Sequence, residues 1–269
     1  MLRSSLQLCS TRRAPIRSQA LRCMRWNSAL GAATTRPDGP VLSETNRAEA
    51  TLKRFWKTVG IDKHGDSLAV TLDKRALKTP SGNTLLLPQN KRLVATLIAG
   101  EWDSQETMLK PHALPMTSIA SRALDAMSDE KTRHDVRDAL LNYLDTDTIC
   151  FHQEEPPLLA ELQSEHWTSE SILLSEQPEE TKRKLGAVLD TFDPWEMAAM
   201  ERATYTTKSF LIALALVKKQ LSIEQAAKAA QIEVDSQIQR WGEVEDSHDV
   251  DFHDVRRQLG SAACLLSYT

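Results

Sequence analysis

The densest set of chemistry-bearing side chains in the sequence runs from Glu245 to Asp254: Glu245, Asp246, His248, Asp249, Asp251, His253 and Asp254. On a helix, Glu245, His248 and Asp249 lie three and four positions apart and share a face. A Glu-x-x-His pair can ligate metal, but in di-iron bundles the motif recurs and facing helices add further glutamates. Here one copy occurs, at Glu245 to His248. A metal-dependent hydrolase or oxygenase centred on Glu245, His248 and His253 is therefore an alternative reading. A protein-docking patch has the same composition, and so does a solvated acidic helix start with a local His–carboxylate contact. Residue types alone leave the three open. Asp145-Thr146-Asp147 is a second acidic pair. It lacks the glycine and distal glutamate of a calcium loop, so a turn that bonds its own backbone is expected.

Other motifs are missing. The sequence has no Gly-x-x-x-x-Gly-Lys-Ser/Thr, Gly-x-Gly-x-x-Gly, His-Glu-x-x-His or Gly-x-Ser-x-Gly string. Nothing therefore supports phosphate cradling, a zinc protease or a nucleophile elbow. Trp102, Trp195 and Trp241 sit in amphipathic contexts, where core packing is the expectation; an exposed one would mark a binding hot spot. Lys74-Arg75-Ala76-Leu77-Lys78 reads as a solvated basic strand end.

The elements that must carry these residues follow from periodicity. Residues 38–50 are polar, carry Pro40 and read as a linker. Phe55–Ile61 is a strand candidate, and His64-Gly65-Asp66 a turn. Leu68, Val70 and Leu72 alternate as in a half-buried strand. Thr79-Pro80-Ser81-Gly82-Asn83 is a second turn, and Thr84–Leu87 a further strand. Beyond Pro88 the period changes to 3.6. Leu93, Val94, Leu97, Ile98 and Trp102 share one helical face, and Met116, Ile119, Ala120 and Ala123 another. Ser128 is a candidate N-cap for a helix carrying Val136, Leu140, Tyr143 and Leu144. Residues Asp145–Phe151 read as a turn into an extended segment, and Leu158, Leu159 and Leu162 open a helix towards Trp167. Past residue 180 the pattern is helical. Phe210–Val217 is apolar all round, as in a buried helix. Ser222 and Gln225 form a capping box opening a helix to Trp241, punctuated by Gly242. A last helix carries Val255, Leu259, Ala262, Ala263 and Leu266. The expected fold is α+β: a small antiparallel β-rich domain over residues 51–88, followed by a larger α-helical domain over 89–269.

Composition narrows the function classes. The chain has 269 residues, 41% of them hydrophobic and 26% charged, enough to bury a core without disulfides or metals. Its longest apolar run, Phe210–Val217, is far short of the ~20 residues that span a bilayer. The first 37 residues hold seven arginines, five serines and no acid, the composition of a mitochondrial transit peptide. A basic tail that binds nucleic acid is the alternative. The rest opposes it, since 26 basic residues stand against 37 acids, a balance of −11, where phosphate binding needs a basic footprint. Cys9 and Cys23 fall in that presequence; Cys150 and Cys264 are isolated, as suits a reducing compartment.

Six strings occur in order: Arg54-Phe55-Trp56, Leu77-Lys78-Thr79-Pro80, Glu101-Trp102-Asp103-Ser104-Gln105, Pro115-Met116-Thr117, Leu144-Asp145-Thr146-Asp147-Thr148-Ile149-Cys150, and Gln239-Arg240-Trp241-Gly242-x-Val244-Glu245-x-x-His248-Asp249. In this order they resemble the mitochondrial ATP synthase assembly factors that chaperone the alpha subunit of the catalytic head. The resemblance covers about residues 52 to 269. It implies a monomeric matrix chaperone without cofactor or catalytic residues. Such a protein binds the free ATP synthase alpha subunit and shields the surface that later meets the beta subunit. It also implies that the family's sensitive acidic position falls on Glu245, within a docking or domain-shaping cluster of Trp241, Gly242, Glu245, His248 and Asp249. One departure stands out: after Trp167 the family usually adds a helix and a short strand, whereas here Thr168–Leu174 follows at once.

Overall fold

A computed structural model describes residues 53–167 and 177–268. The expected presequence 1–37, the linker 38–50 and the shortened stretch Thr168–Leu174 lie outside the described residues.

The first hairpin joins β1 (Val59–His64) to β2 (Ser67–Leu72), with Leu72 opposite Val59 and Ser67 opposite His64. Gly65 takes the first loop position at φ +62°, as a two-residue hairpin loop requires. β3 (Arg75–Ala76) and β4 (Leu86–Pro88) both pair antiparallel with β2. β2 is therefore the central strand. It is buried on both faces rather than one, because the small Ala69 and Thr71 on its second face are covered as well.

The first strand starts later than alternation suggested. Residues 55–58 are not in it, and Phe55 is 73% exposed. Their backbone is taken by side chains: Arg54 donates to the carbonyls of Trp56, Asp103 and Gln105, and the Lys57 and Thr58 N–H groups bond the Asp73 carboxylate. Those two amides hold the Asp73 carboxyl below its ordinary pKa. The 79–83 turn closes as expected, with the Thr79 N–H on the Asn83 carbonyl and Gly82 at φ +86°. It is pinned by Asp125, which accepts from Thr79, Ser81 and Asn83.

Ten helices follow. α1 (Arg92–Asp103) buries Val94 and Ile98, with Leu93 at its rim. Its Glu101 reaches across to α2 (Pro115–Asp125) and accepts from the Met116 N–H at 2.6 Å, the Thr117 N–H at 2.9 Å and the Thr117 hydroxyl at 2.8 Å. It thus fills the N-terminal donors that a helix leaves open. Burial nevertheless pushes the Glu101 carboxyl up. α3 (Glu130–Tyr143) is capped by Asp129, not Ser128: Asp129 accepts from the N–H and hydroxyl of Thr132.

The expected extended segment at 145–151 is instead two 3₁₀ turns, Leu144–Thr146 and Thr148–Cys150. Asp147 sets them. Fully buried, it accepts from the Ile149 N–H at 3.2 Å and from the Leu211 N–H at 2.9 Å. It caps a turn and a distant helix together, and burial raises its pKa. α4 (Pro157–His166), α5 (Glu179–Asp190), α6 (Pro194–Thr207) and the wholly apolar α7 (Phe210–Val217) come next. The capping box forms as read, with Ser222 and Gln225 bonded reciprocally. The helix it opens stops early. α8 (Ile223–Ala230) and α9 (Ile232–Trp241) are separate, broken at Gln231, whose side chain accepts from Arg256. α10 (Glu245–Leu265) ends the fold.

Residues Ala48–Thr269 form one compact unit, and one apolar core runs from Leu87 on the sheet through Ile98 and Ile119 to Met200, Phe210 and Leu259. The α+β expectation, with strands first and helices after, holds. Among the described residues no helix is long and apolar enough to cross a membrane.

Candidate functional site

The acidic cluster sits where α9 turns into α10. Ile232 and Ser236 bury the start of α9. The chain then turns at Gly242, whose φ of +90° belongs to a region that side chains with a Cβ rarely adopt. Its N–H closes α9 on the Ile238 carbonyl at 2.8 Å. Val244 is extended, and α10 begins at Glu245. Glu245 and Asp246 meet the positive end of the helix dipole. His248 turns back so that its Nδ1 accepts from the Val244 N–H at 3.0 Å. The imidazole thereby fixes one of the open amides of the helix start and must be unprotonated at Nδ1.

α10 is anchored only further along. Arg256 chelates Glu224 of α8, with Nε to Oε2 at 3.0 Å and Nη2 to Oε1 at 2.6 Å, and bonds Gln231 at 2.9 Å. Arg257 reaches the His112 carbonyl at 2.8 Å. Leu259, Ala262 and Leu265 bury the rest of the helix. The first two turns of α10 therefore project from a fixed base.

What projects is apolar as well as acidic. Trp241 is 70% exposed, Val244 60%, Val250 64% and Phe252 45%. Trp241 was expected in the core. Instead it stands on the surface with Arg240 over its ring at 5.1 Å, whereas Trp195 is buried and Trp102 half-buried, donating to the Thr117 hydroxyl. From Glu243 to Asp254 there are six acids and no lysine or arginine. Of those six, only Asp254 has a cationic partner among the described residues, Arg257. Large exposed side chains beside unpaired like charges offer no stability to the isolated chain. They match instead the anchors and charged rim of a protein interface.

Trp241, Gly242, Glu245, His248 and Asp249 thus lie together at one corner, in different roles. Gly242 sets the turn and His248 locks the helix start, while Trp241, Glu245 and Asp249 face solvent. The metal reading fares differently. His248 spends Nδ1 on the backbone and His253 packs edge-on against Phe252 at 5.3 Å. Among the described residues no group of three His, Cys, Asp or Glu could hold a metal ion. Sequence reasoning missed the exposure of Val250 and Phe252; their signal was apolar residues set among acids on the projecting turns.

The family model described as ATP12 chaperone protein matches residues 53–171. The chain is 33% identical over 241 residues to the protein named "Protein atp12, mitochondrial" of Schizosaccharomyces pombe, covering 81% of this chain and 83% of that one. It is 28% identical over 278 residues to "Protein ATP12, mitochondrial" of Saccharomyces cerevisiae, covering 82% and 86%. Among solved structures, Atp12 of Paracoccus denitrificans shares the fold with a TM-score of 0.67 at 24% identity over 81% of this chain and 98% of that one. The Atu1473 protein of Agrobacterium tumefaciens gives 0.69 at 26% identity, over 86% and 91%. The chain belongs to the ATP12 chaperone family, the ATP synthase assembly chaperones that its ordered strings resemble.

Proposed function

We propose that the chain works in the mitochondrial matrix as a chaperone of the unassembled ATP synthase alpha subunit. It shields the surface that later meets the beta subunit and gives it up as the catalytic head assembles. Family membership supports the assembly role, and the arginine-rich segment 1–37 together with the mitochondrial naming of both relatives supports the compartment. The observation that carries the reading is the α9–α10 corner, where Trp241, Val244, Val250 and Phe252 stand in water on a stretch with five acids that have no cationic partner among the described residues.

Free subunits of an assembly expose apolar interface that aggregates. A binder must cover roughly 800 Å² on such a partner, yet release it. Reversibility suits a few aromatic anchors inside a charged rim, since the anchors set the residence time and the rim the encounter. The reading assigns no bond-making step, cofactor or metal to the chain, and it is that of a monomer. A pull-down from mitochondria with the matured protein tests it. Alpha subunit captured free of beta supports the proposal; recovery of the finished enzyme, or of no alpha subunit, contradicts it. Glu245→Lys at normal protein level tests the corner: orphan alpha subunit should aggregate, and normal head assembly would remove Glu245 from the site.

A further inference from the structure

A long groove lies on the other side of α10, away from the exposed corner. It is walled by Asp254, Val255 and Gln258 of α10, the outer faces of α2 and α6, the end of α1 and the 78–81 turn, and encloses about 1310 Å³. Small-molecule pockets span roughly 300–1,000 Å³ and close around their ligand. This groove is larger and open to solvent, with room for a stretch of polypeptide. Its apolar surface comes from Trp102, Leu109, Leu114, Tyr205 and Val255. Tyr205 stands half in solvent at its mouth, edge-on to Tyr143 at 5.9 Å.

The charges in the groove say which polypeptide. Each acid is already engaged. Glu201 takes two bonds from Arg122, at 2.9 and 2.7 Å. Asp125 holds the 79–83 turn, and the donors of that turn outweigh the effect of burial and keep it ionised. Asp254 pairs with Arg257. Of the groove's three cations only Arg122 has an acidic partner among the described residues. Arg202 is half-buried and meets only neutral groups, Gln258 Oε1 at 2.9 Å and Ser118 Oγ at 3.2 Å. Lys78 at the groove's end has no partner among the described residues. A guanidinium held in place by neutral acceptors, with no partner on its Nε among the described residues, is a prepared site for a carboxylate, which it binds through parallel N–H groups. Trp, Tyr and Arg are also the residue types that dominate interface energetics.

We propose that this groove is a second docking surface, which takes an apolar segment of the client carrying a carboxylate, with Arg202 as the carboxylate's anchor. The proposal rests on the chaperone reading above. It makes α10 a two-sided element: its projecting turns attract cationic client surface, and its anchored flank receives an acidic apolar one. A client gripped by opposite charges on two sides of one helix is held in a single orientation.

The test is the affinity of the full chain for purified alpha subunit, with thermal melting recorded for every variant. Arg202→Gln removes the charge and keeps a neutral amide donor, and should weaken binding roughly tenfold with little change in the melting transition. Arg202→Lys should recover part of the loss, and Tyr205→Ala should weaken binding to a similar degree. Wild-type affinity in both Arg202→Gln and Tyr205→Ala overturns the groove proposal. If the wild-type chain binds no alpha subunit, the proposed function falls. The groove is then decided by a labelled dodecapeptide of alternating leucine and serine with one central glutamate, compared with its glutamine twin. Preference for the glutamate peptide that is lost in Arg202→Gln upholds the groove. Equal binding of the two peptides, or none, overturns it. The same peptide pair decides the case if a variant fails to fold.

Discussion

Two regions of this molecule pair a glutamate with a tryptophan in a short string, and the structure uses them in opposite ways. At the α1–α2 junction Glu101 is enclosed, and its oxygens accept from two backbone amides and a hydroxyl. Beside it, Trp102 donates to the Thr117 hydroxyl and receives the Trp56 indole N–H on its carbonyl. At the α9–α10 corner Glu245 and Trp241 face solvent, and Glu245 has no partner among the described residues. The same two residue types in a short string therefore do not announce their role. Satisfied polar groups build the fold; unsatisfied ones beside exposed apolar surface await something else.

The contrast can be broken by substitution, and the junction should respond most. Glu101→Ala orphans the donors that start α2 and should lower stability by about 3 kcal/mol in urea unfolding, while the folded fraction still binds alpha subunit normally. The same carboxyl carries a pH signature. Burial holds it above its ordinary 4.5, so the folded state binds this proton more tightly than the unfolded state. Its contribution to stability is fullest below pH 4.5 and declines as pH rises through the raised value; Glu101→Gln should flatten that part of the profile. Trp241→Ala comes next, with the opposite signature: client affinity falls by about 2 kcal/mol, and stability changes by less than about 0.5 kcal/mol, as for an exposed residue. A matching loss of stability would place Trp241 with the junction rather than the interface. Gly242→Ala should cost about 1 kcal/mol of stability through its positive φ alone, since a Cβ there meets nothing within 4 Å. Glu245→Lys should be the mildest in equilibrium affinity, slowing association several-fold with a difference that shrinks but persists as salt is raised, so that capture falls behind the aggregation of free alpha subunit.

Local rules made much of the fold legible. Gly65, the Ser222–Gln225 box and the faces of α1, α2 and α7 followed from turn chemistry and periodicity. The α3 cap moved from Ser128 to Asp129 through a local bond to Thr132, but the other departures involve a side chain acting across the chain. Asp73 took the amides of residues 57 and 58, Asp147 replaced a strand by 3₁₀ turns while capping α7, and Gln231 was claimed by Arg256. Such bonds leave no periodic trace. The corner was half legible: its acids and Gly242 stand out in sequence, but the exposure of Trp241 depends on where Arg256 and Leu259 anchor α10. The groove was illegible, because Arg202, Ser118 and Gln258 meet only after three helices pack.

The central claim is that this chain temporarily covers an aggregation-prone face of a folding partner. Light scattering of purified alpha subunit diluted from denaturant, with and without the full chain, tests it most directly. Scattering should be suppressed at near-equimolar chain, and adding beta subunit should pass the alpha subunit into soluble alpha–beta assemblies without a return of scattering. Equal scattering with and without the chain would contradict the account.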